Sequence, residues 1–183
     1  MSAIQQQKRR LFFALWPGAA ERAALAAWQP PLRELCGGRI MRPDTLHLTL
    51  VFLGEVAEHR LQAACLAAQE ADFRRFDLQL ATAHYWGHNH IVYATPAAVP
   101  AALAALAGGL EHGLRRHGFH FEQRPYKPHV TLLRNAKRSD ADLPPMPAVR
   151  WPVHDFVLVQ SLSGAQGAHY EVLARFGRRS TGE

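Results

Sequence analysis

The chain has 183 residues, of which 48% are hydrophobic and 20% charged, and its formal net charge is +6. That length fits one domain with a real core and excludes a disordered polymer, while the basic surplus favours polyanionic partners such as nucleic acid or phosphorylated ligands. The two cysteines, Cys36 and Cys65, belong to no Cys-x-x-Cys pair; too few for a disulfide scaffold, they read as thiols of a reducing cytoplasm.

From the N-terminus, Lys8-Arg9-Arg10 precedes the apolar run Leu11-Phe12-Phe13-Ala14-Leu15-Trp16. Pro17 stops that run short of the roughly 7–15 residues of a secretory h-region. No stretch nears the roughly 18 apolar residues of a membrane span, so a soluble cytoplasmic protein is expected. The run reads as a buried strand closed by Pro17-Gly18. Ala19 to Trp28 reads as a helix that Pro30-Pro31 interrupts, with a further turn to Leu35. After a loop at Gly37-Gly38, Leu46 to Leu53 alternates as a strand that Gly54 ends. Val56 to Ala71 is a second alanine-rich helix. Phe76 to Ala83 and His90 to Thr95 are strands on either side of a turn at Gly87-His88-Asn89. Val99 to His117 is a third helix, weakened by Gly108-Gly109. Phe119 to Phe121 begins a strand, His129 to Arg134 is another, and Leu143-Pro144-Pro145-Met146-Pro147 is irregular. Val153 to Ser161 and His169 to Phe176 read as a closing hairpin around Ser163-Gly164.

The two halves of the chain resemble each other. Each runs from an apolar strand through a proline, an alanine-rich helix and a loop to a strand carrying His-x-Thr-Leu: Leu46-His47-Leu48-Thr49-Leu50 in the first, Pro128-His129-Val130-Thr131-Leu132 in the second. The histidines lie 129 − 47 = 82 positions apart, and Phe12 and Val92 lie 92 − 12 = 80 apart. An offset held over that distance predicts a duplicated α+β fold. Residues 1–183 are expected to form a single domain of two pseudo-symmetric lobes, each an antiparallel sheet with helices packed on its outer face, around a central cleft.

Side chains at i and i+2 of a strand share a face. His47 and Thr49 therefore point one way, as do His129 and Thr131, while Leu48, Leu50, Val130 and Leu132 take the core side. A single His-x-Thr on a strand is ordinarily structural; the same pattern at equivalent points of two lobes is hard to explain by packing. Two imidazoles with pKa near 6.5 suit in-line displacement at phosphorus, one taking a proton from water and the other protonating the departing oxygen. The threonine hydroxyls hold the non-bridging oxygens as charge develops. A 2′,3′-cyclic phosphate brings its own leaving group, so the reaction requires no metal. His84, His88 and His90 crowd around Gly87 without a cysteine or carboxylate at ligand spacing, so no metal site is expected there. Asp44, after Pro43, reads as a turn residue.

The paired motifs resemble the 2H phosphoesterase superfamily, and within it the RNA 2′,3′-cyclic phosphodiesterases, also called 2′-5′ RNA ligases. The resemblance rests on residues 10–15, 46–56, 124–134, 158–161 and 170–173 and spans nearly the whole chain. It implies opening of RNA 2′,3′-cyclic phosphate ends to 2′-phosphomonoesters, no cofactor, and His47 as general acid with His129 as general base. The two lobes are alike in sequence, which leaves the reverse assignment open. Thr49, Thr131 and Arg134 match the phosphate-binding positions, although Leu133-Arg134 stands where Ala-Arg is usual. Tyr126, Lys127 and Phe12 are candidate RNA contacts; a surface loop for the first two and core burial for Phe12 compete with that role. RNA is the expected partner, with no membrane and no obligate protein partner, and the chain is expected to act as a monomer. Two alternatives stay open on sequence alone: 2′-5′ ligation as the physiological reaction, and a non-catalytic RNA-binding module using the same cleft.

Overall fold

The computed structural model describes residues 7–137 and 142–177. In chain order it contains β1 (Lys8–Leu15), α1 (Ala19–Cys36), β2 (Arg39–Ile40), β3 (Leu48–Ala57), α2 (Leu61–Gln69), β4 (Phe76–Trp86), β5 (Ile91–Pro96), α3 (Ala101–Arg116), β6 (Val130–Arg134), β7 (Val149–Val153), β8 (Phe156–Gly164) and β9 (Gly167–Phe176). The strands run β7-β4-β5-β6-β3-β1-β8-β9, with β2 added beside β6, and all their pairings are antiparallel.

This order is a palindrome about the β6–β3 junction. Each half places its His-x-Thr-Leu strand innermost, then the apolar strand that precedes it by one helix, then two outer strands. One Cα register pair, Leu48 with Val130, joins the halves, and these are the residues directly after His47 and His129. The expected two lobes are thus two halves of one continuous sheet. Their helices are exchanged: α1 leaves β1 but packs on β5, β6 and β7, while α3 leaves β5 and packs on β3. The core lies between helices and sheet, and Leu11, Phe13, Leu48, Leu103, Val130 and Leu132 are all fully buried there. No helix among the described residues is long and apolar enough to cross a membrane.

Several boundaries differ from the sequence expectation, each for a physical reason. Pro30-Pro31 does not interrupt α1, which runs unbroken to Cys36. Both prolines are exposed, so the carbonyls four residues back lose their helical donors on a side open to water. Meanwhile Leu25, Trp28, Gln29, Leu32 and Cys36 form one buried stripe through the break, and that burial holds the helix together. Gly54 does not end β3 either. Its φ of 72° lets the chain bulge, and the strand continues to Ala57. The second helix therefore starts only at Leu61, after a 3-10 turn at Glu58–Arg60. Phe119 to Phe121 forms no strand, and β7 begins at Val149, ahead of the hairpin predicted from Val153.

Gly38 shapes the approach to the cleft. It has φ of 88°, and a Cβ there would lie 2.7 Å from the Arg134 carbonyl oxygen and 2.9 Å from the Ala136 backbone. Gly38→Ala is expected to cost about 2–3 kcal/mol by combining left-handed strain with a backbone clash, read as a lower urea midpoint at unchanged m-value.

Candidate active site

The elements of the site are strand starts. β3 and β6 begin one residue after His47 and His129, so the β-period carries His47 and Thr49, and His129 and Thr131, onto one side of the sheet while Leu48 and Val130 are fully buried on the other. All four polar residues line a single cleft of about 460 Å³, together with Arg134. The structure thus brings together residues 82 positions apart as the duplicated motif required.

The two histidines are oriented alike. His47 Nδ1 lies 2.7 Å from the Thr45 carbonyl oxygen, and His129 Nδ1 lies 2.8 Å from the Lys127 carbonyl oxygen. A carbonyl only accepts, so each Nδ1 carries the proton and donates it two residues back, which leaves Nε2 as the nitrogen for chemistry. Aromatic rings hold each imidazole. Trp16 stacks on His47 at 5.7 Å and 17°, with Phe12 at 4.9 Å and Tyr170 at 5.1 Å. His129 meets Trp86 at 4.7 Å and Tyr93 at 5.6 Å, both edge-on.

Burial makes both rings weaker bases than free imidazole. It pushes His47 down to about 4, and the positive charges of His129, Arg134 and Arg22 push the same way, against the hydrogen bond to Thr45. His129 is also lowered, first by burial and then by Arg134, against its bond to Lys127. Lowered from 6.5, both favour the neutral form at pH 7, and an entering phosphate anion favours protonating one of them.

Charge in the cleft comes from Arg10, Arg39, Arg42 and Arg134, with no carboxylate among the lining residues. Arg10 comes from β1 and Arg39 and Arg42 from the segment before β3, and none belongs to a local motif, so the sequence reading did not single them out as site residues. Gln29 was missed as well. Buried in α1, it donates from Nε2 to the Met41 and Leu132 carbonyls at 2.8 and 3.0 Å, tying the helix to the strand that carries Thr131. A buried glutamine on an otherwise apolar helix stripe is the signal that marks it.

The three candidate RNA contacts divide. Phe12 is 3% exposed and lies under His47 as part of the cleft floor. Tyr126 packs on the core, burial pushes its hydroxyl up, and that hydroxyl donates to the Thr49 carbonyl at 3.4 Å. Neither Tyr126 nor Lys127 lines the cleft; Lys127 contributes its carbonyl to His129 instead. Among the described residues, no three His, Cys, Asp or Glu side chains gather as a metal site. His90, one of the three around Gly87, meets the Tyr85 hydroxyl at 3.1 Å.

A duplicated α+β sheet whose two His-x-Thr-Leu strands meet on one cationic cleft is the architecture of a 2H phosphoesterase. The chain belongs to the LigT-like phosphoesterase family, whose model matches residues 15–93 and again 94–169, one match to each half. It is 34% identical to the RNA 2′,3′-cyclic phosphodiesterase of Escherichia coli K12, over 93% of this chain and 97% of that protein. It is 33% identical to the protein of the same name from Thermus thermophilus, over 93% of this chain and 90% of that one. A crystal structure of E. coli LigT with 3′-AMP superposes with a TM-score of 0.84 at 32% identity, covering 93% of this chain and 98% of that one.

Proposed function

We propose that this protein hydrolyses RNA 2′,3′-cyclic phosphate ends to 2′-phosphomonoesters without a metal, using His47 as general acid and His129 as general base. The observation that carries the reading is the matched pair of imidazoles, each with Nδ1 spent on the carbonyl two residues earlier and Nε2 left for the same arginine-lined cleft. Neutral His129 takes a proton from the attacking water at Nε2. His47, protonated in the presence of the anionic substrate, gives its Nε2 proton to O3′ as the P–O3′ bond breaks. The proton lost by water and the proton gained by O3′ balance, and the 2′-phosphate remains. Thr49 and Thr131 donate to the non-bridging oxygens, and Arg134 offsets their charge. The relatives' names support the substrate, and the cationic lining supports RNA over an uncharged ligand.

The same groups serve ligation when a 5′-hydroxyl replaces water, because expelling O3′ then leaves a 2′–5′ linkage. Hydrolysis is the forward course in water, where the nucleophile is in large excess.

Incubating the protein with an oligonucleotide 2′,3′-cyclic phosphate in excess EDTA is expected to give the 2′-phosphomonoester at the rate seen without chelator. The product's phosphorus resonance and its resistance to periodate distinguish it from the starting material and from unphosphorylated ends. Loss of turnover in EDTA, with recovery on adding zinc or magnesium, overturns the mechanism. A non-catalytic RNA-binding module predicts binding of the oligonucleotide and no product.

A further inference from the structure

Arg22, in the first turn of α1, is not among the residues lining the cleft, yet it reaches both supports of His47. Its guanidinium sits over the Trp16 ring at 5.6 Å, and that ring stacks on His47 at 5.7 Å. Its Nη2 donates to the carbonyl of Pro17, directly after Trp16, at 3.1 Å. Its Nη1 donates to the carbonyl of Pro43, which opens the 3-10 turn Pro43–Thr45. Thr45 closes that turn and supplies the carbonyl that accepts from His47 Nδ1 at 2.7 Å. One guanidinium thus ties the end of β1, the start of α1 and the turn before β3 into a frame around a single imidazole. A rigid planar fork with several donors can hold two carbonyls at once; an ammonium on a flexible stem is a single point charge.

The second half of the chain has no counterpart. α1 starts at Ala19 and α3 at Ala101, 101 − 19 = 82 positions apart, the same offset that separates His47 from His129. Arg22 therefore corresponds to Ala104, an exposed residue without charge. His129 meets Trp86 and Tyr93 edge-on, and the charge that bears on it is that of Arg134. Resting on the phosphodiesterase reading of the cleft, we propose that Arg22 is a positioning residue for the reaction: it locks the Trp16 ring and the Thr45 carbonyl around His47, aims Nε2 into the cleft, and makes the two imidazoles of a duplicated site unequal. The charged and titratable groups facing His47 are His129 and Arg134 from β6, Tyr170 from β9 and Arg22 from α1. Asp44, in the turn, faces Arg22 and pairs with Arg42 at 3.3 Å.

The test uses the full chain with isotope-labelled histidine. Arg22→Gln keeps a donor but neither the charge nor the fork. It is expected to lower kcat for adenosine 2′,3′-cyclic phosphate by about 10–10²-fold, the cost of a slightly misplaced catalytic group, with KM nearly unchanged because the cleft lining is intact. In the free protein the NMR titration midpoint of His47 is expected to rise, since a positive charge that disfavours its imidazolium is gone, while that of His129 moves little. Arg22→Lys restores the charge, so the His47 midpoint returns toward wild type, but kcat stays low for want of the second carbonyl contact. A residue that only anchored α1 would move neither midpoint, or both together. Either pattern overturns the proposal, as does wild-type kcat in either variant. A wild-type protein that turns over no cyclic phosphate defeats the phosphodiesterase reading, and the two titrations still decide whether Arg22 sets His47.

Discussion

Replacing His47 or His129 by alanine is expected to lower kcat/KM for a 2′,3′-cyclic phosphate by about 10²–10⁴-fold, the usual worth of a positioned acid or base. Each ring stands half-buried on the cleft side of its strand, away from the main core, so the fold should persist in both variants. Asparagine is the informative control. Its amide reaches the place of Nδ1 and keeps the donor to the Thr45 or Lys127 carbonyl, but it has nothing where Nε2 was. A histidine that only braced its strand would be rescued by asparagine; a proton carrier would not. The double alanine variant should be little slower than the worse single one, because residues acting as one proton relay are not additive. Near wild-type kcat/KM in either single variant defeats the acid–base pair.

The motif strands were legible because their information is local and repeated. A short apolar run, a glycine or proline at its end and a histidine two residues before a threonine need no knowledge of the rest of the chain. The α+β class and the grouping of His47, Thr49, His129 and Thr131 followed from that repetition, Arg134 was added by the family resemblance, and the structure gathers all five on one cleft. What the sequence hid depends on tertiary context. Helix α1 survives Pro30-Pro31 because Leu25, Trp28 and Leu32 are buried against the far half of the sheet, a stabilisation that helix propensity does not contain. β3 passes Gly54 because its partner β1 tolerates two bulges. Those bulges also break the period-2 rule at Val51, which is buried while Phe52 lines the cleft, so alternation alone does not place Phe52 there. Arg39 enters the site only because its two-residue strand pairs with the end of β6, opposite Arg134. Tyr126 and Lys127 illustrate the converse: adjacency in sequence to His129 placed them near the motif, yet the turn before β6 directs one to the core and leaves neither in the cleft lining.

On the proposed mechanism Arg134 serves two separable functions, and removing it is expected to affect both. It stands at the end of β6 in the cleft lining, where its guanidinium can clamp a phosphate, and its charge also disfavours the protonated form of both His47 and His129. Arg134→Gln is expected to lower turnover by about 10²–10³-fold, the cost of losing one main stabiliser of the developing charge. The sign of the second effect is opposite to intuition for a damaged site. In the wild-type protein the kcat/KM profile is expected to be a bell, with its limbs on the acid side of 6.5 because both free-enzyme imidazoles are lowered, His47 to about 4. The limbs belong to the coupled pair rather than to either ring. Taking away the positive charge of Arg134 relieves both imidazoles, so both limbs move toward higher pH while the height of the bell falls. Arg134→Lys separates the two functions. Lysine restores the charge, so the limbs should return close to the wild-type positions, but its point charge lacks the bidentate fork, so the rate should remain well below wild type. Full profiles of kcat/KM for the three proteins decide the matter. An Arg134→Gln bell that falls in height without moving shows that Arg134 binds phosphate and leaves the histidines alone. One that moves without falling shows the reverse.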